Sequence, residues 1–403
     1  MRILILTPQF PWPTHQGTTL RNFNLIKHLA QRHEVHLFSL LAADDDAGSG
    51  PVAELCASIT TRPQPQRSPR DRLRDLVLTA QPDMARRLWV SEVVEALRDV
   101  IERVRPDILQ IEGIEMAPYF FALREEAAWG RVIYDAHNAE TLLQQRAARA
   151  DVRRPKRWPA ALYSAIQTAK LHRYEQKLLQ AVDGVAAVSE PDARYLQAMA
   201  PHTPIRVVSN GVDLALYDPH ESFSPVCEGP GPHLVFTGKM DFRPNVDAAL
   251  WLSEEVLPEL RALGVNAHFW VVGRNPHARL QALAGRQDVS ITGAVPDVRP
   301  YILQSDVYVV PLLAGGGTRF KILESLALAR PVVSTRLGAD GIPVQDGVHL
   351  ALADSPADFA RRIADLLRER EKAADMGRRG RVFIQQHYSW DAIVPELERL
   401  YHD

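Results

Sequence analysis

The chain has 403 residues, more than one hydrophobic core usually supports, so two domains are expected. Its 46% hydrophobic residues, 24% charged residues and formal net charge of -2 are those of an ordinary globular protein and argue against a nucleic-acid-binding chain. The two cysteines, Cys56 and Cys227, lack disulfide-framework or zinc-ligand spacing, which favours a reducing, cytoplasmic compartment.

The first half is expected to form a parallel sheet covered by helices, because strand patterns alternate with helical ones. The short apolar run at the beginning is interpreted as a first strand and not as a signal peptide. No uninterrupted run approaches eighteen apolar residues, so no membrane span is predicted. The predicted strands are Ile3–Thr7, Glu34–Leu40, Asp107–Ile111, Val132–Ala136, Gly184–Val188 and Ile205–Val208.

A stretch rich in Pro, Gly and Ser at 220–233 is predicted to be a linker. The alternation then restarts, so the second half repeats the architecture of the first. Its predicted strands are His233–Thr237, Ala267–Val272, Val289–Thr292, Val307–Val310 and Pro331–Thr335.

Residues 315–335, "GGGTRFKILESLALARPVVST", follow a predicted strand and open a helix. Glycines let the backbone approach a ligand, and the first N–H groups of a helix attract anions. A carboxylate about one and a half turns further on can accept hydrogen bonds from a ribose, so this order of residues indicates a nucleotide site. The candidate residues are Gly316, Gly317, Thr318, Arg319, Lys321 and Glu324.

An ordinary helix N-terminus, with Glu324 paired to Lys321 three residues earlier, explains the same stretch and stays open. The glycines are contiguous and no Gly-Lys-Ser/Thr triplet follows, so a P-loop is excluded. The fingerprint of dinucleotide-binding domains is also absent after the first strand.

Five other residues stand where strands end or helices begin. Gly17 and Thr18 precede an amphipathic helix, and His137 ends a strand where it could bond a hydroxyl group. Lys239 and Arg243 follow the first strand of the second half and could neutralise a diphosphate. A turn glycine, a structural histidine and two cations without a ligand are the alternatives.

Two stretches, 62–74 and 146–177, are locally basic, and the second interleaves arginines with aromatic residues. They are candidates for contact with an anionic membrane surface or acceptor, or simply solvated faces.

Six stretches resemble, in the same order, the retaining glycosyltransferases of family four. They are "QGTTLRNFNLIKHL", "YDAHNAE", "VSNGVD", "FTGKMDFRPN", "VVG" and "GGGTRFKILESLALARPVVST". The resemblance implies the α/β fold called GT-B, with two Rossmann-like domains whose parallel sheets face each other across a cleft. It implies an acceptor-side domain at 1–212, joined by a C-terminal helix at about 388–403, and a nucleotide-sugar-binding domain at 213–387.

The resemblance also implies roles for single residues. Glu324 resembles the glutamate that binds the ribose, and Gly17 the glycine beside the diphosphate. Lys239 and Arg243 resemble the diphosphate-binding cations, the second displaced by one residue. His137 resembles the histidine near the reacting sugar.

The chain departs from the family eight positions before Glu324, where Gly316 replaces the usual first glutamate. This is similar to the branch of the family with a Gly-Gly-Gly-Thr-Arg loop.

The implied activity is sugar transfer, with retention, from a nucleoside-diphosphate sugar to a hydroxyl acceptor, possible acceptors being lipid-linked or growing glycans. A UDP-sugar is expected as the donor slightly more than a GDP-sugar. No cofactor or metal is expected, because helix N-termini and cations can stabilise the departing diphosphate. The acidic run Asp44–Asp46 is expected to be solvated. A nucleotide-sugar epimerase and a non-catalytic partner subunit are the alternatives.

Overall fold

The computed structural model describes residues 1–14, 16–42, 50–145, 158–229, 231–283, 285–314 and 319–403. The chain forms two compact units. Unit 1 contains Met1–Asn210 and Ile393–Asp403, and unit 2 contains Gly211–Ala392. The sequence placed these divisions after residues 212 and 387.

Unit 1 is built on a seven-stranded parallel sheet in the order β3-β2-β1-β4-β5-β6-β7, a doubly wound arrangement in which the chain starts at the centre and reverses direction. Its inner strands are buried along nearly their whole length, as expected for a sheet covered on both faces. The strands are β1 (Arg2–Thr7), β2 (Glu34–Leu41), β3 (Ser58–Pro63), β4 (Ile108–Glu112), β5 (Arg131–Ala136), β6 (Gly184–Ala187) and β7 (Ile205–Val207).

The helices of unit 1 bury one apolar stripe each. The helix α5 shows this clearly, since Val93, Leu97, Val100 and Val104 lie on one buried face. The described helices are α1 (Gly17–Leu29), α2 (Val52–Leu55), α3 (Pro69–Leu78), α4 (Asp83–Arg86), α5 (Ser91–Val104), α6 (Ala117–Leu123), a segment at 140–145, α7 (Trp158–Leu179) and α8 (Glu190–Met199).

Unit 2 has a six-stranded parallel sheet in the order β10-β9-β8-β11-β12-β13, the same winding around a central first strand. The strands are β8 (His233–Thr237), β9 (His268–Val272), β10 (Val289–Gly293), β11 (Val307–Val310), β12 (Val332–Ser334) and β13 (Ala351–Leu352).

The helices of unit 2 begin with one continuous helical segment in which a π-helical turn, Leu252–Val256, joins two α-helices. The helices are α9 (Arg243–Trp251), α10 (Leu257–Ala262), a 3₁₀ segment (Ala278–Leu283), α11 (Arg299–Gln304), α12 (Phe320–Ala327), α13 (Pro356–Arg368), α14 (Arg370–His387) and α15 (Trp390–His402), most of which belongs to unit 1.

The eleven predicted strands are all present, with ends that differ by one residue at most. The predicted linker at 220–233 is wrong, because part of this stretch packs on unit 2. Gln304 accepts hydrogen bonds from the N–H groups of Val226 and Cys227 and donates to the carbonyl of Ser224. In the described part of the chain, no helix combines the length and apolar character needed to cross a bilayer.

Candidate functional site

His137 lies at the carboxyl edge of the unit 1 sheet, directly after β5. Its Nε2 is 3.0 Å from Oε2 of Glu112, the last residue of β4. Glu112 is fully buried and also accepts a hydrogen bond from Gln110. The His137 side chain is 15% exposed, so the pair is held by the sheet while the imidazole stays accessible.

A buried ion pair lies beside this histidine. The Arg21 guanidinium, from α1, donates from Nε and Nη2 to the two oxygens of Asp135 at 2.8 Å each, and both side chains are buried. Arg21 also donates to the carbonyl of Ser209 and to Oδ1 of Asn210. A bidentate pair of this kind fixes orientation, so α1, β5 and residues 209–210 are held together.

The surrounding charges and burial shift the pKa values of His137 and Glu112. Burial lowers the pKa of His137, but the hydrogen bond and charge of Glu112, with the charge of Asp135, outweigh burial and raise it above its ordinary value. Burial and the Asp135 charge raise the pKa of Glu112.

One ligand atom each of Glu112, Asp135 and His137 lies within 4.8 Å of the others, a spacing that could suit a metal ion. However, Arg21 already binds both oxygens of Asp135. A metal ion would have to displace this guanidinium, so the donor set does not fit one and we assign none.

Gly17 and Thr18 form the first turn of α1, four and three residues before Arg21. Gly17 is exposed and Thr18 is half-buried. No acidic side chain stands in this turn, so its N-terminal N–H groups face no competing carboxylate from the helix itself. A capping box between Gln16 and Thr19 satisfies part of this turn from within the chain.

In unit 2, the ends of β8 and β9 approach each other closely. Gly273 has a φ of 154°, and a Cβ there would overlap the carbonyl oxygen of Gly238. A Cβ on Gly238 would in turn lie 2.7 Å from Nδ2 of Asn245 and 3.3 Å from Nζ of Lys321. The glycines therefore allow the polar groups behind them to come together.

Lys321 is the cation in the middle of this arrangement. Its Nζ donates to Oδ1 of Asn245 at 2.8 Å and lies 4.5 Å from the centre of the Phe236 ring. Asn245 is itself held by a hydrogen bond from its Nδ2 to the carbonyl of Lys239. Burial lowers the pKa of Lys321 to about 7, although the charge of Glu324 opposes this shift.

Glu324 is on the same helix, α12, and is half-buried. Its Oε1 accepts a hydrogen bond of 2.8 Å from the hydroxyl of Tyr217. Burial raises the pKa of Glu324, while Tyr217 and Lys321 oppose the rise. Lys321 and Glu324 thus have separate partners, and the alternative in which they pair with each other is not what the structure shows.

The other predicted cations of unit 2 differ in exposure. Arg319 is 6% exposed and donates to the carbonyl of Leu337. The side chain of Lys239 is 53% exposed, with Nζ 3.5 Å from a carboxylate oxygen of Asp241. The Arg243 side chain, at the first residue of α9, is 64% exposed, with its Nε 3.3 Å from Asp247. Lys239 and Arg243 therefore lie on the surface in ion pairs.

Two family models match the chain. The model described as Glycosyltransferase Family 4 matches residues 16–216, and the model described as Glycosyl transferases group 1 matches residues 231–369. The chain belongs to the glycosyltransferases. It is an enzyme with the GT-B fold, as its solved structural neighbours also indicate.

Among solved structures, this glycosyltransferase is similar to sucrose-phosphate synthase from Thermosynechococcus elongatus, at 18% identity and a TM-score of 0.71, over 100% of this chain and 98% of that chain. It is also similar to HepE from Anabaena in complex with UDP, at 15% identity and a TM-score of 0.64, over 99% of each chain.

Two curated relatives are mannosyltransferases. The phosphatidyl-myo-inositol mannosyltransferase of Mycobacterium leprae is 26% identical over 42% of this chain and 46% of the relative. The lipopolysaccharide core biosynthesis mannosyltransferase LpcC of Rhizobium leguminosarum bv. viciae is 26% identical over 44% of this chain and 52% of the relative. The match thus covers about half of each relative's length.

Several predictions for this glycosyltransferase fall outside the described residues. These are the donor-loop residues Gly316, Gly317 and Thr318, the acidic run Asp44–Asp46 and the part of the second basic stretch at 146–157.

The described parts of the two basic stretches contain cations with internal partners. Arg67 pairs with Asp75 and Asp83 at 2.7 and 2.9 Å. Lys170 donates to the carbonyls of Leu76 and Thr79, at the C-terminal end of α3. For these two residues, the structure shows a stabilising role within unit 1.

Several residues of the enzyme's two candidate sites were not predicted from the sequence. In unit 1 these are Arg21, Glu112 and Asp135, and in unit 2 they are Asn245 and Tyr217. Two of them, Asp135 and Glu112, could have been recognised from the sequence. They are carboxylates inside or at the end of apolar strands, where an unpaired charge is costly, so each should have a polar partner.

Proposed function

We propose that the enzyme transfers a sugar, with retention of anomeric configuration and without a metal ion, from a nucleoside-diphosphate sugar to a hydroxyl acceptor. The donor is held by unit 2 and the acceptor by unit 1. The acceptor is a lipid-linked molecule or a growing glycan, in polysaccharide, glycolipid or other glycoconjugate synthesis. The enzyme works in the cytoplasm, at the inner face of the membrane, where the basic stretches 62–74 and 146–177 contribute contacts.

The observation that carries this proposal is the placement of one cation and one carboxylate on the first turns of α12. Lys321 and Glu324 lie three residues apart, are both half-buried, and have neutral hydrogen-bonding partners, Asn245 and Tyr217. A cation near a helix N-terminus suits a diphosphate, and a carboxylate can accept hydrogen bonds from ribose hydroxyls. Arg319, Lys239 and Arg243 add positive potential for the diphosphate, as do the residues of the donor loop.

The reaction we propose needs charge stabilisation and positioning. The acceptor oxygen forms a bond to C1 of the sugar while the bond from C1 to the phosphate oxygen breaks, and the electron pair leaves with the diphosphate. The acceptor proton passes to the departing phosphate oxygen, so no side chain acts as a nucleophile. Fixed cations stabilise the leaving group. His137, held by Glu112, orients a hydroxyl group of the sugar or the acceptor.

The comparisons support the substrate classes. HepE was solved in complex with UDP, with UDP and glucose, and with UDP-glucose, which favours a nucleotide-sugar donor here. The two mannosyltransferase relatives are named for a phosphatidylinositol and for a lipopolysaccharide core, which favours an acceptor that carries a lipid.

The first test is thermal unfolding with UDP-glucose, GDP-mannose and ADP-glucose, since a ligand that binds only the folded state raises the melting temperature. We expect one of them at millimolar concentration to raise it by several degrees. Unchanged melting temperatures with all three would contradict the proposed donor class.

Retention and metal independence are tested with the donor that binds. NMR of the product's anomeric proton should show the configuration of the donor, and EDTA should leave the rate unchanged. An inverted product would contradict retention, and loss of activity restored by Mg²⁺ or Mn²⁺ would contradict metal independence.

A further inference from the structure

Lys321 differs from Lys239 and Arg243 in its partners. Within the described ranges of the chain, no carboxylate lies within ion-pair distance of its ammonium group. Lys239 and Arg243 each have one. An ammonium has three N–H donors, and one amide oxygen and one aromatic face replace only part of its hydration. A bound anion would therefore stabilise the Lys321 ammonium group better than its present partners do.

We propose that Lys321 is the cation that receives the donor diphosphate, and that its amine takes up a proton from solvent when the donor binds. This inference rests on the proposed function, because it requires a nucleoside-diphosphate sugar as the ligand. It assigns to one lysine both the main contact with the leaving group and a pH dependence of donor affinity.

The groups around the amine support this assignment. From its own segment it faces the charges of Glu324, which favours the protonated form, and of Arg319, which opposes it. From β8 and α9 it faces Phe236 and Asn245, which do not titrate. The side chain is only half-buried, so a ligand can reach it. Little negative charge surrounds the Lys321 amine, and a bound diphosphate would supply it.

The direction of the pH effect follows from the low pKa of the free site. With the pKa of Lys321 at about 7, the amine is mostly neutral at pH 8.5 and mostly charged at pH 6.0. A bound diphosphate favours the charged form and moves the pKa toward its ordinary value of about 10.4. Binding therefore takes up close to one proton at pH 8.5 and very little at pH 6.0.

The experiment is titration calorimetry with whichever of UDP-glucose, GDP-mannose and ADP-glucose binds most tightly. Each titration is repeated in three buffers of different ionisation enthalpy, at pH 6.0 and at pH 8.5. The dependence of the observed enthalpy on the buffer enthalpy gives the number of protons taken up. A nucleotide sugar is a better probe than a free nucleoside diphosphate, whose terminal phosphate titrates near pH 6.

Three variants identify the group. Lys321→Met should lose the proton uptake at pH 8.5 and bind at least tenfold more weakly at pH 6.0. Lys321→Arg keeps a permanent charge, so it should bind with no proton uptake and with an affinity that is independent of pH. Lys372→Met, which removes a lysine that is 80% exposed in α14, should behave as the wild type.

The outcomes separate the two proposals. Failure of every nucleotide sugar to bind the wild-type enzyme contradicts the proposed function. Binding without proton uptake at pH 8.5 contradicts the role of Lys321 alone, as does an uptake that persists in Lys321→Met. The arginine variant decides the matter if the methionine variant does not fold.

Discussion

At the scale of single residues, donor affinity should depend strongly on Glu324. Its carboxylate is already held by the Tyr217 hydroxyl, so it is oriented before a ribose arrives. A hydrogen bond to a charged group contributes about 1.5–3 kcal/mol. We therefore expect Glu324→Ala to weaken nucleotide-sugar binding by about 10- to 100-fold in titration calorimetry.

The control for this prediction is Tyr217→Phe, which keeps the carboxylate and removes only the hydroxyl. It should weaken binding less than Glu324→Ala does, because the carboxylate that accepts hydrogen bonds from the ribose is still present. An affinity of Glu324→Ala equal to that of the wild type would remove Glu324 from the ribose site.

Glu112 should control the titration of His137. Its hydrogen bond and charge are the main causes that hold the pKa of His137 above the ordinary value against burial. In Glu112→Gln this charge is lost, so the pKa of His137 should fall. The measurement is an NMR titration of the imidazole signals of His137.

The matched control is Glu92→Gln, which neutralises an exposed carboxylate in the first turn of α5. It should leave the His137 titration unchanged. A pKa of His137 that stays the same in Glu112→Gln would show that Asp135 alone sets it.

The residues found from the sequence and those that were missed differ in sequence separation. Lys321 and Glu324 are three residues apart on one helix, so helical spacing was enough to relate them. The partners of the Arg21–Asp135 pair are 114 residues apart, and those of the Tyr217–Glu324 pair are 107 apart. Only the folded topology brings such groups together, so residue patterns could not reveal them.

At the scale of elements, the strands that the sequence missed are those with the weakest patterns. The edge strand β3 (Ser58–Pro63) has the sequence SITTRP and is only half-buried, and β13 (Ala351–Leu352) has two residues. An edge strand pairs on one side and needs no continuous apolar run. The buried inner strands, in contrast, carry apolar runs that fixed their positions within one residue.

The contact between the ends of β8 and β9 gives a prediction at this scale. Gly273→Ala places a methyl group against the carbonyl of Gly238, so the two strand ends must move apart. Overpacking of this kind costs about 1–3 kcal/mol. Gly238 lies next to Asn245 and Lys321, so a shift of its backbone should lower nucleotide-sugar affinity as well as thermal stability.

The control is Gly285→Ala, since a Cβ at Gly285 meets no atom within 4 Å. It should leave stability within about 0.5 kcal/mol of the wild type and should not change affinity. If Gly273→Ala lowered stability but bound the nucleotide sugar normally, the glycine contact would be structural only.

At the scale of the whole molecule, the chain leaves unit 1 at Asn210 and returns to it at Ile393. The returning segment is anchored by buried Leu397, Leu400 and Tyr401. The Tyr401 hydroxyl donates to Gln110, which in turn donates to Glu112, the partner of His137. The last eleven residues therefore support the candidate site of unit 1 through a chain of buried hydrogen bonds.

The apolar part of this anchor can be tested at Leu400. This side chain is fully buried, and its Cδ2 would lie 3.2 Å from a Cβ on Gly184 of β6. Leu400→Ala leaves a cavity and should destabilise the protein by about 2–5 kcal/mol, which corresponds to a melting temperature lower by about 5–15 °C. Scanning calorimetry gives this difference directly.

Gly184→Ala is the complementary change in this last prediction. Alone, its methyl group meets Leu400 and Ile133 at 3.2 and 3.1 Å, so it should destabilise the protein by overpacking. In the Leu400→Ala background the same methyl group occupies part of the cavity, so the double variant should be more stable than the sum of the two single effects predicts. Strictly additive effects would show that Leu400 does not pack on β6, and that the final helix stabilises unit 1 by other contacts.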